Sequence, residues 1–426
     1  MIETSFDVIV VGSGPAGSIA ALVLARAGAR VALVDKAAFP RDKACGDLIG
    51  PRGVQLLHDL MLDVPHATRV SDMIVVGPTG NRVRLPGAPG RTYPGYGIVV
   101  QRSQFDAMLR LAAVSAGAEF FEGRADDPID DDGRLGGFSL SSKTRVRADA
   151  VVGADGATSR VAAVAGLVDP GRVLWGFAVR TYLDVAVNEP HIMLWTPVAG
   201  TAFPGYGWVF PAGAGRVNVG LGVGVLADRT AGRRAAHDLD AFLEHAAHVG
   251  VLGGRAVARP PAPPLGAWLK MGLVGTTPAR DRVLLVGDAS GLVNPLQGEG
   301  IAQAMDSGRA AAEAILGGIG QAADRYHAHV ACTYGPYLST TAPVHRSLLR
   351  RPKLVAALTR GLTSPGVGRL LAGGWSIMWN DLLDGAQPGI ATGAATAAAG
   401  LGRMLTARSA DRHWIGTHVT SSRIHR

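Results

Sequence analysis

The sequence predicts an α/β protein in which a helix-covered parallel sheet is assembled from separated stretches of chain, an antiparallel-sheet unit is inserted between them, and helices close the C-terminal end. Three observations predict it. An apolar run, a glycine turn, an alanine-rich stretch and a second apolar run follow one another between Phe6 and Asp35. Residues 172–225 change to short alternating runs, with aromatics broken by Gly and Pro. A buried-strand pattern returns at residues 283–286, and helical periodicity follows from Gly300 onward. With 426 residues the chain can form two or three compact units.

Taken in order, residues 6–11 read as a β-branched strand, 18–28 as a helix ending at a glycine, and 30–35 as a second strand, which is a βαβ unit. A helix is expected over 103–116, a short strand over 118–122, a hairpin-like polar stretch up to Arg147, and a strand over 148–153. Between Arg259 and Gly266 four prolines mark a linker that returns the chain to the first unit. There is no internal repeat, and the only biased tract is Ala/Gly-rich, near 391–402.

Composition excludes several classes. An apolar share of 47%, a charged share of 18% and 58 glycines describe a globular chain rich in tight turns, not a disordered one. Cys45 and Cys332 are the only cysteines, so neither a disulfide framework nor a cysteine-built metal site is expected. Residues 1–7 carry no signal-peptide pattern, which points to the cytoplasm. The net charge of +8 resides wholly in residues 341–426, where ten Arg and one Lys face three Asp and no Glu. This basic region lacks the aromatic interleaving of a nucleic-acid surface and suits either a solvated face or peripheral contact with an anionic membrane, with Trp375, Trp379 and Trp414 as interfacial anchors. No apolar run is long enough to span a bilayer.

Gly12-Ser13-Gly14-Pro15-Ala16-Gly17 stands between the first strand and its helix, and Asp35 ends the second strand, beside Lys36. Gly12 allows the tight turn, Gly14 lets backbone N–H groups approach a pyrophosphate, and Gly17 lets the helix pack on the strand. The helix N-terminus favours the anionic phosphates, and Asp35 can accept hydrogen bonds from a ribose. Two further motifs follow: Val152-Gly153-Ala154-Asp155-Gly156, and Leu285-Val286-Gly287-Asp288-Ala289 continued by Asn294-Pro295-Leu296-Gln297-Gly298-Glu299-Gly300 and Ile301.

These three motifs, in this order, resemble the FAD-dependent oxidoreductases that include aromatic hydroxylases, flavin-dependent halogenases and the geranylgeranyl reductases. The resemblance implies FAD as cofactor, held in a glutathione-reductase-type FAD-binding Rossmann domain built from residues 1–60, 95–171 and 267–330. A substrate-binding antiparallel-sheet domain would take 61–94 and 172–266, and a helical C-terminal region 331–426. It further implies that Asp288 binds the ribityl chain, that the loop 295–300 lies beside the flavin, and that Arg102 lies near the cofactor.

Two segments resemble the geranylgeranyl reductase branch, which also contains reductases of the menaquinone side chain. They are Phe39-Pro40-Arg41-Asp42-Lys43-Ala44-Cys45-Gly46-Asp47 with Gly50-Pro51-Arg52-Gly53, and Pro204-Gly205-Tyr206-Gly207-Trp208-Val209-Phe210-Pro211, whose Pro204 stands one residue closer to Tyr206 than in the branch pattern PxxYxWxFP. On a strand, Tyr206, Trp208 and Phe210 project from one face, either as ordinary core or as a wall for an apolar prenyl chain. Ser290-Gly291 follows the Gly-Asp-Ala turn where hydroxylases often have Ala-His, and the halogenase motif Trp-x-Trp-x-Ile is absent.

The reading this supports is an FAD-dependent reductase that saturates an isoprenoid double bond of a geranylgeranyl lipid or of the menaquinone side chain. The alternatives are a flavin monooxygenase or halogenase acting on an aromatic or polyketide compound, and a noncatalytic flavin-binding redox sensor. Cys45, Tyr206, Trp208 and Glu299 are the candidate catalytic residues, and of these Cys45, Tyr206 and Glu299 can carry a proton. Arg41 and Lys43 could depress the pKa of Cys45, which could equally be a small packing residue. No second glycine fingerprint is present for NAD(P)H, so an NAD(P)H donor would bind transiently or another redox carrier would serve.

Overall fold

The computed structural model describes residues 2–194, 205–225, 231–253, 263–364, 366 and 393. Pro204, Arg259 and the prolines at 260 and 261 lie outside the described residues, as do Trp375, Trp379, Trp414 and nearly all of the basic and Ala/Gly-rich tail.

A sheet forms the first layer, with strand order Ala279–Arg280, Val283–Leu285, Thr144–Gly153, Ile2–Val11, Val31–Asp35 and Glu119–Glu122, parallel throughout except for the antiparallel edge strand Ala279–Arg280. The first strand is central, parallel to its neighbours on both sides, and its second half is almost wholly buried. Strands covered on both faces read as continuous apolar runs, and residues 8–11 and 31–34 do so. Helices Pro15–Arg26, Arg102–Ser115 and Ile301–Leu316 cover one face, with Ile19, Leu22, Leu24, Phe105, Leu109 and Met305 in the largest core cluster. The first helix begins at Pro15 instead of Ser18, because proline suits the first helical position, where no N–H is needed. A hairpin of Ala125–Asp131 and Arg134–Leu140 pairs with the lower half of Thr144–Gly153.

The second sheet has seven strands, in the order Leu265–Met271, Leu174–Leu183, Val217–Val225, Gly205–Pro211, His191–Met193, Met73–Val76 and Arg82–Leu85. Its pairings are antiparallel apart from the parallel contact of His191–Met193 with Met73–Val76. Helix Ala231–His248 lies on one face, where Leu239, Phe242, Leu243 and Ala246 meet Val179, Val209, Val219 and Leu221. The other face carries Ala178, Trp208 and Phe210 toward Val70, Met73, Val75 and Val99. The expectation that residues 259–266 lead straight back to the first unit needs correction, and so does the boundary at 267. Leu265–Met271 pairs in full register with Leu174–Leu183, so the antiparallel sheet runs on to Met271. Pro263 and Pro264 precede this edge strand and cost it no ladder bond.

Beyond Leu316 the described chain is helical: Ala322–Thr333, Gly335–Leu349 and Pro352–Leu362. Among the described residues, no helix is long and apolar enough to cross a membrane.

Candidate functional site

The three glycine motifs meet at one end of the parallel sheet. Gly12 has φ +106°, and a Cβ there would stand 2.3 Å from the Ala154 carbonyl oxygen, so the first turn lies directly on the second motif. A Cβ on Gly17 would fall 1.8 Å from the Gly12 oxygen. A Cβ on Gly287 would touch both Ala16 and Ala304 at 3.2 Å, which brings the third motif onto the first helix. The carboxylate of Asp35 accepts from the N–H groups of Ser13 at 2.7 Å and Ala37 at 3.0 Å, tying the end of the second strand to the glycine turn. Lys36, next to it, is exposed.

These residues fit a dinucleotide. Helices Pro15–Arg26 and Ile301–Leu316 start at Gly14 and Gly300, and neither has a side-chain cap or an acidic residue in its first turn. Each leaves unpaired N–H groups and a partial positive charge for an anion. Around Gly14 the space a Cβ would take is open, the nearest atom being an Arg41 guanidinium nitrogen at 3.7 Å. Arg41 is thus a further cation beside the turn, held by Asp106 at 2.9 Å. Asp288 is half-buried in the short turn Gly287–Ala289, with the Lys43 ammonium at 3.5 Å and the Gly300 Cβ position 3.6 Å from its Oδ1. Asp155 is engaged locally: it accepts from the Ser159 hydroxyl at 2.5 Å and from the N–H groups of Arg160 and Val161 at the start of helix Arg160–Val164. Gly156, with φ +83°, lets the chain turn into that helix.

The loop 294–300 joins this cleft to the second sheet. Asn294 closes it by accepting at Oδ1 from the N–H groups of Leu296 and Gln297, and Pro295 and Ile301 are buried at its ends. Gly298 has φ +69°, and its Cβ position lies 3.4 Å from the Tyr206 oxygen. The Tyr206 hydroxyl donates to the Gln297 carbonyl, so the aromatic strand is bonded to the loop. Glu299 accepts from the Gly50 N–H at 3.3 Å. Burial raises its carboxyl to about 7, against the pull of that N–H and of the Arg52 charge, so it holds a proton for much of the time at neutral pH.

Tyr206, Trp208 and Phe210 form the expected one-sided row, with Trp208 6.3 Å from Tyr206 edge-to-face and 6.5 Å from Phe210, stacked. The row faces the Cys45 segment: a Cβ on Gly46 would stand 3.0 Å from the Phe210 ring and 3.3 Å from the Trp208 indole nitrogen. The expectation that Arg41 and Lys43 would depress the Cys45 pKa is wrong. Those cations are drawn to Asp106 and Asp288, and burial pushes the Cys45 thiol up, with only Arg102 and the Asp47 N–H opposing. Arg102 is a buried residue whose guanidinium forks onto Asp106 with two bonds of 2.8 Å and faces Cys45.

Sequence reasoning passed over three buried polar residues here, Asp47, Asn218 and Lys270, and the half-buried Tyr182. Asp47 Oδ2 accepts from the Tyr182 hydroxyl at 2.5 Å and from Asn218 Nδ2 at 2.7 Å, and its Oδ1 from the Arg102 N–H at 3.3 Å. Burial raises Asp47 to about 6, opposed by these bonds and by Arg180 and Arg102. Lys270, in the edge strand, donates to the Ala289 carbonyl. The available signal was a lone polar residue in an otherwise apolar strand, as at Asn218 within residues 217–225 and Lys270 within 265–271.

Residues 5–328 match the family described as FAD binding domain. The chain is 38% identical over 325 residues to the menaquinone reductase of Mycolicibacterium smegmatis, covering 74% of this chain and 78% of that protein. It is 35% identical over 314 residues to digeranylgeranylglycerophospholipid reductase 2 of Methanopyrus kandleri, covering 72% and 76%. A geranylgeranyl bacteriochlorophyll reductase-like protein from Thermoplasma acidophilum shares the fold, with a TM-score of 0.70 at 23% identity over 88% of this chain and 96% of that one. Matched over three-quarters of its length in sequence, and with the glycine turns of that fold assembled into one dinucleotide cleft, the chain belongs to the geranylgeranyl reductase family of FAD-dependent oxidoreductases.

Proposed function

We propose that the protein saturates an isoprenoid double bond in a polyprenyl lipid, the side chain of menaquinone or a geranylgeranyl lipid. The observation that carries this reading is the seating of an apolar aromatic row against both cofactor-side segments, through Tyr206 on the Gln297 carbonyl and through Trp208 and Phe210 on Gly46. A prenyl chain has no hydrogen-bonding groups, so an apolar lining can hold it by burial alone; half-buried Tyr206 is the accessible ring of the row, and Trp208 and Phe210, packed on Val70, Met73 and Val75, back it from the core.

Bound FAD, once reduced, supplies the hydride. The glycine turn, the two uncapped helix N-termini, Arg41, Asp35 and Asp288 are assigned to holding it. An isolated alkene carries no group to draw electrons, so the second hydrogen must come from a well-placed acid. Glu299 is the first choice, because its raised pKa keeps a transferable proton at neutral pH. Cys45 is the second, its thiol also kept protonated by burial. Tyr206 is the least suited, since its proton is engaged with a backbone carbonyl. Trp208 and Phe210 exclude water from the row.

The same reading assigns the C-terminal helices to the surface of an anionic membrane, where such lipids reside. Residues 335–363 contain no acidic residue, and Arg350, Arg351, Lys353 and Arg360 are exposed near exposed Val344 and Leu354. Flotation with anionic vesicles, lost on reversing Arg350, Arg351 and Lys353 to Glu, is the expected result.

The test of function is mass spectrometry of polyprenyl lipids incubated anaerobically with the protein and chemically reduced flavin, with menaquinone first because of the similarity to the Mycolicibacterium enzyme. A gain of two hydrogens is expected. No gain on any polyprenyl lipid, with oxygen added to an aromatic compound once air is admitted, would overturn the reading.

A further inference from the structure

Asp47 lies at the seam between the two sheets, and every polar atom of its side chain is used. It is fully buried with φ +64°, a left-handed conformation that Asp tolerates better than most residues. Its backbone oxygen accepts from the Val100 N–H at 3.1 Å, and its own N–H donates to the Cys45 sulfur at 3.3 Å. Asn218 takes up the connection from the opposite side. Its Nδ2 donates both to Asp47 and to the Cys45 carbonyl, each at 2.7 Å, and its Oδ1 accepts from the Trp208 indole N–H at 2.8 Å. An unbroken path of hydrogen bonds therefore runs from the Cys45 segment through Asp47 and Asn218 to the central ring of the aromatic row. Tyr182 anchors the same carboxylate from a neighbouring strand, with Arg180 and Arg216 against its ring at 4.4 and 5.1 Å.

We infer that Asp47 is a positioning residue, whose carboxylate holds the Cys45 segment and the Trp208 ring in the register that prenyl reduction requires. This rests on the reading of that row as the lipid site. The geometry leaves no neutral substitute. Oδ2 faces two donors and Oδ1 a third, so an Asn at 47 must turn its NH2 toward one of them whichever way it flips. The aromatic surface itself is untouched by that change, so lipid binding should survive while alignment is lost.

The experiment compares Asp47→Asn with the parent chain, both carrying Cys332→Ser so that Cys45 is the only thiol. Asp47→Asn should retain FAD and lower kcat for the polyprenyl lipid by about tenfold or more, with KM within about twofold. Iodoacetamide should label its Cys45 about tenfold faster than in the parent, because the donor left facing the new NH2 group loosens the seam around the segment. Should Asp47→Asn not fold, Tyr182→Phe, which removes one donor and adds no mismatch, should shift both readouts in the same direction by a smaller factor. Unchanged kcat and unchanged labelling in a folded variant would overturn the inference. A parent protein that reduces no polyprenyl lipid would sink the functional reading instead, and the labelling rates would still decide whether Asp47 holds the seam.

Discussion

Lys270 offers a measurement in which burial, charge and pH can be separated. It is 1% exposed, and its ammonium donates to the Ala289 carbonyl beside the Gly287–Ala289 turn. Burial lowers its pKa from 10.5 to about 8, against the attraction of Asp155 and Asp288. The folded value lies below the unfolded one, so the folded protein releases this proton first. The stability linked to Lys270 is therefore fullest above pH 10.5 and is lost as pH falls through about 8. The gap corresponds to about 3 kcal/mol, to order of magnitude. Lys270→Met keeps a long apolar stem and has no proton to lose. Urea unfolding of both proteins at saturating FAD should show the unfolding free energy of the wild type, minus that of the variant, rising by about 2 to 3 kcal/mol from pH 7 to pH 10. Other titrating groups cancel in that difference. A difference flat to within about 0.5 kcal/mol would mean that water reaches Lys270 freely and that the burial argument is wrong.

Glu299→Gln should lower kcat for lipid reduction about a hundredfold, and the wild-type alkaline decline, with its midpoint at about pH 7 where Glu299 loses its proton, should vanish in the variant's pH profile. Gly14→Ala should fold normally, since nothing stands within 3.7 Å of the new methyl, yet fluorescence titration should show FAD affinity falling about tenfold or more as the methyl enters the phosphate site. Trp208→Ala removes a ring 5% exposed together with its bond to Asn218, and should lower unfolding free energy by about 3 to 5 kcal/mol in urea while leaving bound FAD in place.

The cofactor half was readable from sequence because its signals are local. Gly12, Gly14 and Gly17 carry their geometric reasons within six residues, and strands buried on both faces announce themselves as unbroken apolar runs. The aromatic row was readable for the same reason, since alternation along one strand decides which face its rings share. The Asp47 network was not, because its hydrogen bonds join residues 135 and 171 positions apart, and no pattern within a window of chain can pair them. The strand Leu265–Met271 was hidden by the prolines before it, and only its partner Leu174–Leu183 makes it a strand. The Cys45 environment was misjudged because nearness in sequence is not nearness in charge: Arg41 and Lys43 turn toward carboxylates 65 and 245 residues away.

The central position of Ile2–Val11 in the parallel sheet has a consequence for how the protein is made. On one side it waits for Thr144–Gly153, beyond which Val283–Leu285 must still dock, and the helix Ile301–Leu316 seals the first helix last, with Gly308 against the Ala16 backbone. A nascent chain emerging N-terminus first thus pairs this strand early with Val31–Asp35 but leaves its other edge open until Thr144–Gly153 has been made, and the cofactor cleft stays incomplete until the third motif and Ile301–Leu316 follow. Pairings so distant in sequence form slowly and leave open edges that invite aggregation. The yield of active protein should accordingly depend on chaperones during translation and on FAD supply once Ile301–Leu316 has been made, when the dinucleotide can act as the fastening that keeps the late-arriving strand and helix in place.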